Sequence, residues 1–166
     1  MNKAVFLDRD GVLILDTSYP GDPEKIVFLS KIGEAVRSLN QKGFKVIVVT
    51  NQSGVARGFF PEENVRKIHD KIEKKLKADG ARIDKFYYCP HHPDDDCDCR
   101  KPRIGMLLQA KKDFDLDFKQ SYMIGDSLKD MESGKKVGCK TILLSYERNV
   151  EYPTAGNLFE AVTMVE

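Results

Sequence analysis

Ala4-Val5-Phe6-Leu7-Asp8-Arg9-Asp10-Gly11 is a short apolar run, then two carboxylates two residues apart, then a glycine that frees the chain to turn away. Alternate residues of extended backbone face the same side, so Asp8 and Asp10 can both point into one pocket at the end of a strand. Two anions held that close repel unless a cation or a proton lies between them, and an all-oxygen ligand set suits Mg²⁺, whose shell water and substrate phosphate complete. Taken alone, these residues are equally a turn after a strand. What the other strand ends bring decides between the two.

Outward from this run, short apolar stretches alternate with amphipathic ones. Ile32, Ala35, Val36 and Leu39 recur at helical spacing within 31–42, and Gly43 is placed to stop that helix. The β-branched run at 44–50 (FKVIVVT) predicts a buried strand. Pro61, followed by Glu62 and Glu63, opens a second helix that runs to Ala78. Strands are predicted over 83–89, 121–124 and 141–144, helices over 104–114 and 128–137, and a last helix after Thr154. This alternation predicts an α/β fold, a three-layer α/β/α doubly wound and mainly parallel sheet, with ligands outside the carboxyl ends of the strands. The irregular stretch 16–24 is too short for a large cap domain, so residues 1–166 are expected to form a single domain.

Composition agrees. At 166 residues with 41% hydrophobic and 32% charged residues, the chain can bury a core and is not of disordered type. Its net charge of +1 provides no general field toward nucleic acid or membrane. No apolar run approaches the ~18 residues of a membrane span, and Met1-Asn2-Lys3 leads straight into a strand rather than a leader, so a monomer in the cytoplasm is expected. In that reducing compartment disulfides are not expected, and three of the four cysteines fall within eleven residues beside two histidines, which points to metal. Cys89, His91, Cys97 and Cys99 offer three sulfurs and a nitrogen, the set of a closed structural Zn²⁺ site in the loop 89–99, with His92 as an alternative to His91. Cys139 stands apart as a small buried residue, and His69 is expected to be solvated in the middle of a charged helix.

Three further clusters bear on the carboxylates. Thr50-Asn51-Gln52-Ser53-Gly54 ends a strand with hydroxyl, amide and backbone donors suited to phosphate oxygens. Asp126 and Asp130 lie one helical turn apart after another strand, although Asp126 is also compatible with a helix cap. Lys101 supplies a counter-charge, and Arg57 and Arg100 are candidates for a second anionic group, since arginine binds phosphate bidentately.

Together, DxDG at a strand end, a threonine ending the next strand, a later lysine and GDxxxD resemble the haloacid dehalogenase superfamily in residue order. The matches DRDGV (8–12), VVTNQSGVARG (48–58), YYCPHHP (87–93), CDCRKPRIGML (97–107) and YMIGDSLKDM (122–131) resemble its histidinol-phosphate and heptose-bisphosphate phosphatase branch. The resemblance covers residues 5–144 and implies a Rossmann-like core and a Mg²⁺-dependent phosphatase acting on a small phosphorylated metabolite through an aspartyl phosphate. It implies Asp8 as nucleophile and Asp10 as general acid and base. Asp8, the Asp10 carbonyl and Asp126 are implied as Mg²⁺ ligands, Asp130 as a supporting acid, and Thr50, Asn51 and Lys101 as phosphoryl-binding groups. The Cys-Pro-His pattern favours His91 as the zinc ligand.

D-glycero-D-manno-heptose 1,7-bisphosphate, converted to the 1-phosphate, is the first substrate expectation, and Arg57 and Arg100 suit its distal phosphate. Histidinol phosphate is the alternative, favoured by acids such as Asp16 or Asp22 near the entrance. The short loop between His91 and Cys97 departs from many heptose-bisphosphate phosphatases and bears on this choice. A DNA 3′-phosphatase shares the core but calls for a basic and aromatic track that the chain lacks. A non-catalytic zinc-binding interaction module has no need of a nucleophile–acid pair.

Overall fold

All four residues of the first strand, β1 (Ala4–Leu7), are buried, as expected of a strand covered on both faces. The computed structural model describes residues 1–166. After β1 come α1 (Ile32–Gln41), β2 (Lys45–Asn51), α2 (Glu62–Ala78), β3 (Lys85–Cys89) and α3 (Gly105–Phe114). A short 3₁₀ turn at Phe118–Gln120 leads to β4 (Tyr122–Gly125), α4 (Leu128–Val137), β5 (Lys140–Leu144), β6 (Thr154–Ala155) and α5 (Leu158–Val162). No helix is long and apolar enough to cross a membrane.

The six strands lie in the order β3-β2-β1-β4-β5-β6, and every pairing is parallel. Alternation along β1 sends Val5 and Leu7 into a core shared with Val36 and Leu39 of α1, Ile68 and Ile72 of α2, and α5. Ala4 and Phe6 face the opposite core, against Met106 and Leu107 of α3 and Met131 of α4. The expected three-layer α/β/α architecture is therefore observed, without a cap domain.

The direction of winding reverses at β1, so the loops after β1 and β4 diverge and open a crevice. Leu7 is level with Val48 on one side and Ile124 on the other, and the Asp8 amide donates to the Ile124 carbonyl at 3.1 Å. Asp8, Thr50 and Asp126 thus emerge along one edge of the sheet. Gly11 adopts a φ of +80°, and a Cβ there would lie 2.0 Å from Asp126 Oδ2, so the turn after β1 needs a residue without a side chain.

Two local readings are corrected. His69 is not solvated but only 6% exposed, because it falls on the same face as Val65, Ile72 and Leu76, the buried stripe of α2. Asp126 does not cap α4. Ser127 does, its hydroxyl accepting from the Asp130 amide at 3.4 Å while Asp130 Oδ2 accepts from the Ser127 amide at 3.2 Å. The last helix expected after Thr154 is α5, and it is preceded by β6, whose two residues are too few to show any periodicity.

Helix α4 approaches β4 closely at Gly134, where a Cβ would meet Met123 Cβ at 2.6 Å. Alanine favours a helix over glycine by ~1 kcal/mol, whereas overpacking costs ~1–3 kcal/mol. Gly134→Ala is therefore expected to destabilise the protein by about 1 kcal/mol or more, seen as a lower denaturant midpoint.

Candidate active site

A cavity of about 360 Å³ opens at the carboxyl ends of β1, β2 and β4, and only one of its 15 lining residues is hydrophobic. That lining suits a hydrated, charged ligand rather than an apolar one. Asp8, Asp10, Asp16, Asp126 and Asp130 line it, against the cations Arg100, Lys101 and Lys129. The excess of acid would repel a phosphate ester unless a further cation were present.

Lys101 anchors the floor and is 3% exposed. Its ammonium donates to Asp8 Oδ1 at 3.0 Å, Asp130 Oδ1 at 2.6 Å and the Val49 carbonyl at 2.7 Å, using all three N–H groups. Burial alone would lower its pKa, but Asp130 and Asp8 outweigh burial and hold it above the ordinary lysine value. Asn51 fixes the lysine backbone from both sides: its Nδ2 donates to the Lys101 carbonyl at 3.0 Å and its Oδ1 accepts from the Lys101 amide at 2.9 Å.

Asp8 is pushed up to about 7, first by burial, then by Asp130 and Asp10, with Lys101 opposing. Asp126, at the open mouth, is pushed up to about 6, by desolvation first and then by Asp130 and Asp16. Carboxylate oxygens of Asp8, Asp126 and Asp130 lie within 4.8 Å of one another. Mutually repelling oxygens at that spacing, short of counter-charge, fit a hard divalent cation such as Mg²⁺.

Asp10 sits beside this cluster. Its Oδ1 accepts from Arg9 Nε at 2.7 Å, and its Oδ2 accepts from Gln52 Nε2 at 3.1 Å and Arg9 Nη2 at 3.3 Å. The same Gln52 amide donates to Thr50 Oγ1 at 2.9 Å. Arg100 lines the cavity with a buried Nη1 that has no hydrogen-bond partner. Arg57 does not line it. It stacks over Tyr19, 5.5 Å from the ring centroid, and donates to Ser53 Oγ at 3.3 Å.

Gln52, one of the expected donors after β2, lines the cavity, as do Lys129, Ser18 and Tyr19, to which sequence reasoning assigned no role. The 15–22 loop carries no periodic signal. Ser18 and Tyr19 both adopt positive φ there, which nothing in their residue types announces.

Beyond β3, Cys89, His91, Cys97 and Cys99 gather their ligand atoms within 4.8 Å of one another. Cys89 Sγ lies 3.7 Å from Cys97 Sγ and 3.4 Å from His91 Nδ1, which is 3.2 Å from Cys99 Sγ. Zn–S and Zn–N bonds of ~2.3 and ~2.1 Å give a tetrahedron with edges of roughly 3.8 Å (S···S) and 3.6 Å (N···S), so the cluster fits zinc. His92 turns away, its Nδ1 accepting from the Asp94 amide at 3.2 Å.

An acid whose folded pKa exceeds its unfolded value binds more protons when folded, so Asp8 alone makes stability fall as pH rises from about 4 to about 7. His69, lowered to about 3, acts in the opposite direction, but equally with and without metal. The rise in Tm produced by Mg²⁺ over chelator is therefore expected to be larger at about pH 7.5 than at about pH 5.5, by thermal unfolding at matched ionic strength.

The sequence model of the polynucleotide kinase 3 phosphatase family matches residues 3–154. The chain is 43% identical over 149 residues to a D-glycero-beta-D-manno-heptose-1,7-bisphosphate 7-phosphatase of Haemophilus ducreyi, covering 86% of this chain and 82% of that one. It is similar to the crystal structure of the D,D-heptose 1,7-bisphosphate phosphatase from B. bronchiseptica complexed with magnesium and phosphate, with a TM-score of 0.90, 31% identity and 98% and 97% of the two chains covered. A HAD-like phosphatase from Mesorhizobium loti aligns with a TM-score of 0.87 at 35% identity, over 99% of this chain and 87% of that one. The sheet order, the strand-end carboxylates and these relatives agree: the chain belongs to the polynucleotide kinase 3 phosphatase family within the haloacid dehalogenase superfamily, whose phosphatases are phosphoric monoester hydrolases.

Proposed function

We propose that this enzyme hydrolyses D-glycero-D-manno-heptose 1,7-bisphosphate to the 1-phosphate through a phosphorylated Asp8. The observation that carries the reading is the Asp8 carboxylate at the strand edge, 3.0 Å from the buried Lys101 ammonium and within 4.8 Å of the Asp126 and Asp130 oxygens. Asp8 attacks phosphorus as the bond to the leaving alkoxide breaks, and Asp10 gives its proton to that oxygen. Asp10 then takes a proton from the water that attacks the aspartyl phosphate and returns Asp8. Asp10 Oδ2, with the longer contacts of 3.1 and 3.3 Å, is the oxygen suited to exchange that proton.

Mg²⁺, held by Asp8, the Asp10 carbonyl and Asp126, neutralises the acid excess and the phosphoryl charge when bound. Asp130 supports from behind, since Lys101 and Ser127 already engage both its oxygens. Thr50 and Lys101 receive phosphoryl oxygens, while Asn51 acts by fixing Lys101. Arg100, with its unpaired Nη1, suits the distal phosphate, and Arg57 acts from the rim by steadying Tyr19. We further propose that zinc on Cys89, His91, Cys97 and Cys99 fixes the stem of Arg100 and Lys101, and that residues 1–166 work as one domain.

A second reading, histidinol phosphate, is favoured by Asp16 at the cavity wall, since that substrate carries cationic groups. Nucleic acid is disfavoured by the same acidic wall and by the net charge of +1.

Asp8→Asn is expected to abolish turnover, and Asp10→Asn to lower kcat by ~10²–10⁴. kcat/KM for both anomers of the heptose bisphosphate should exceed that for histidinol phosphate. A ~100-fold preference for histidinol phosphate, ~2.7 kcal/mol in transition-state binding, would overturn the substrate assignment. Metal analysis of reduced protein is expected to find about one zinc per chain. Cys99→Ser should lose that zinc and weaken kcat together, and full activity without zinc would rule out the stem-fixing role.

A further inference from the structure

The largest fully buried side chain in the protein is charged: Arg9, with no exposed surface. Each inward N–H of such a group needs an acceptor, since a buried donor left unpaired forfeits its hydration with nothing in return, and a charged one most of all. Three segments supply them. The guanidinium grips Asp10 through Nε at 2.7 Å and Nη2 at 3.3 Å. Nη2 also donates to the Pro20 carbonyl at 3.1 Å, in the loop that lines the cavity mouth. Nη1 faces His69 Nε2, 3.5 Å away across the interior.

His69 is held for this contact. Its ring stacks on Phe86 with centroids 4.5 Å apart and 17° between planes, and it meets Tyr88 edge-on at 5.9 Å. Burial first, and then the charge of Arg9, push its pKa down to about 3, so the imidazole is neutral and one ring nitrogen is free to accept. A histidine used for packing alone has no need to turn a nitrogen toward a buried cation, where an apolar side chain would serve as well.

We propose that His69 and Arg9 are a positioning pair for Asp10: His69 Nε2 accepts the Nη1 proton, fixes the plane of the guanidinium, and thereby holds the Asp10 carboxylate in the orientation its proton transfers require. The proposal rests on Asp10 as the acid–base group. With no acceptor at Nη1, the guanidinium turns toward other oxygens, its side-on grip on Asp10 loosens, and Gln52 alone is left to orient Oδ2. Neither residue of the pair touches the substrate in this scheme. The predicted damage therefore falls on kcat rather than KM, and on the steps in which Asp10 moves a proton.

The decisive variants are His69→Phe, which keeps the stack on Phe86 without an acceptor, and His69→Gln, whose amide oxygen reaches where Nε2 stood. With heptose bisphosphate, His69→Phe is expected to lower kcat about 10- to 100-fold, part of the ~10²–10⁴ that acid–base catalysis contributes, with KM within about twofold. His69→Gln should recover most of that loss. With p-nitrophenyl phosphate, whose leaving group departs without a proton, His69→Phe should release the first equivalent of p-nitrophenolate at the parental rate and then slow, because water attack on the phosphorylated Asp8 still needs Asp10. Asp10→Asn, measured in parallel, should show the same burst.

Parental kcat in His69→Phe, equal losses in the Phe and Gln variants, or a loss confined to KM would each overturn the positioning role. If Asp10→Asn itself stays active, it is the acid–base reading that fails, whatever the His69 variants do. Tm and zinc content identify any variant that has not folded, and His69→Leu read against His69→Gln gives the same contrast should the phenylalanine not be accommodated.

Discussion

The site depends on placing one ammonium in the protein interior. Burying a charge costs several kcal/mol even after relaxation, and the cost is offset only when every donor finds a partner. Lys101 meets that condition by bonding to β1 through Asp8, to β2 through the Val49 carbonyl and to α4 through Asp130. The irregular stretch that carries it has no ladder of its own. Asn51 ties its backbone to the end of β2, and Cys99, two residues earlier, ties it to the sulfur–imidazole cluster. The geometry of the cavity and the folding of this loop are thus one problem, which gives a physical reason for the sulfur–imidazole cluster to lie beside the carboxylates.

A single lysine cannot balance the acids it faces. Asp8 and Asp126 both stand well above the ordinary carboxylate range, and Asp130 raises each of them. Such a cluster is an electrostatically frustrated arrangement that a divalent cation relieves, and it persists because the surrounding fold leaves it no room to disperse. The sheet register sets Leu7 level with Ile124, just before Asp8 and Asp126 leave the sheet, and the glycine at position 11 lets the Asp126 carboxylate pack directly against the turn after β1. Here function is stored as repulsion, and core packing elsewhere pays for it.

How much of this the sequence discloses depends on the range of the physics involved. The nearly continuous β-branched run of β2 announces a buried strand, whereas α4, whose buried residues are Asp130, Met131, Ser133 and Gly134, is marked less by apolar periodicity than by its limits, Ser127 before it and Gly138 after it. The strand-end acids were legible because alternation fixes side-chain direction locally. Features that come from pairing distant segments were not. The two residues of β6 exist only because β5 is there to pair with, and Tyr19 reaches the cavity only through a backbone conformation that its side chain does not favour. His69 is intermediate: the buried stripe of α2 runs through it, yet its charged neighbours conceal the stripe.

The two acids of the DxD motif end up with different cations, and the difference matches their proposed chemistry. Asp8 meets a lysine, a compact charge that Asp8 shares with Asp130 and a carbonyl, so a phosphoryl oxygen can enter its sphere by replacing one bond among three. Asp10 meets an arginine, whose planar fork fixes orientation as well as charge and which is itself wedged against α2 and the entrance loop. A nucleophile must move toward phosphorus and back, whereas a proton carrier must present the same oxygen twice, to an alcohol and then to water. A yielding cation beside the first acid and a rigid one beside the second meet those two needs. Exchanging them would leave the net charge of the site unchanged while removing the distinction between the two carboxylates.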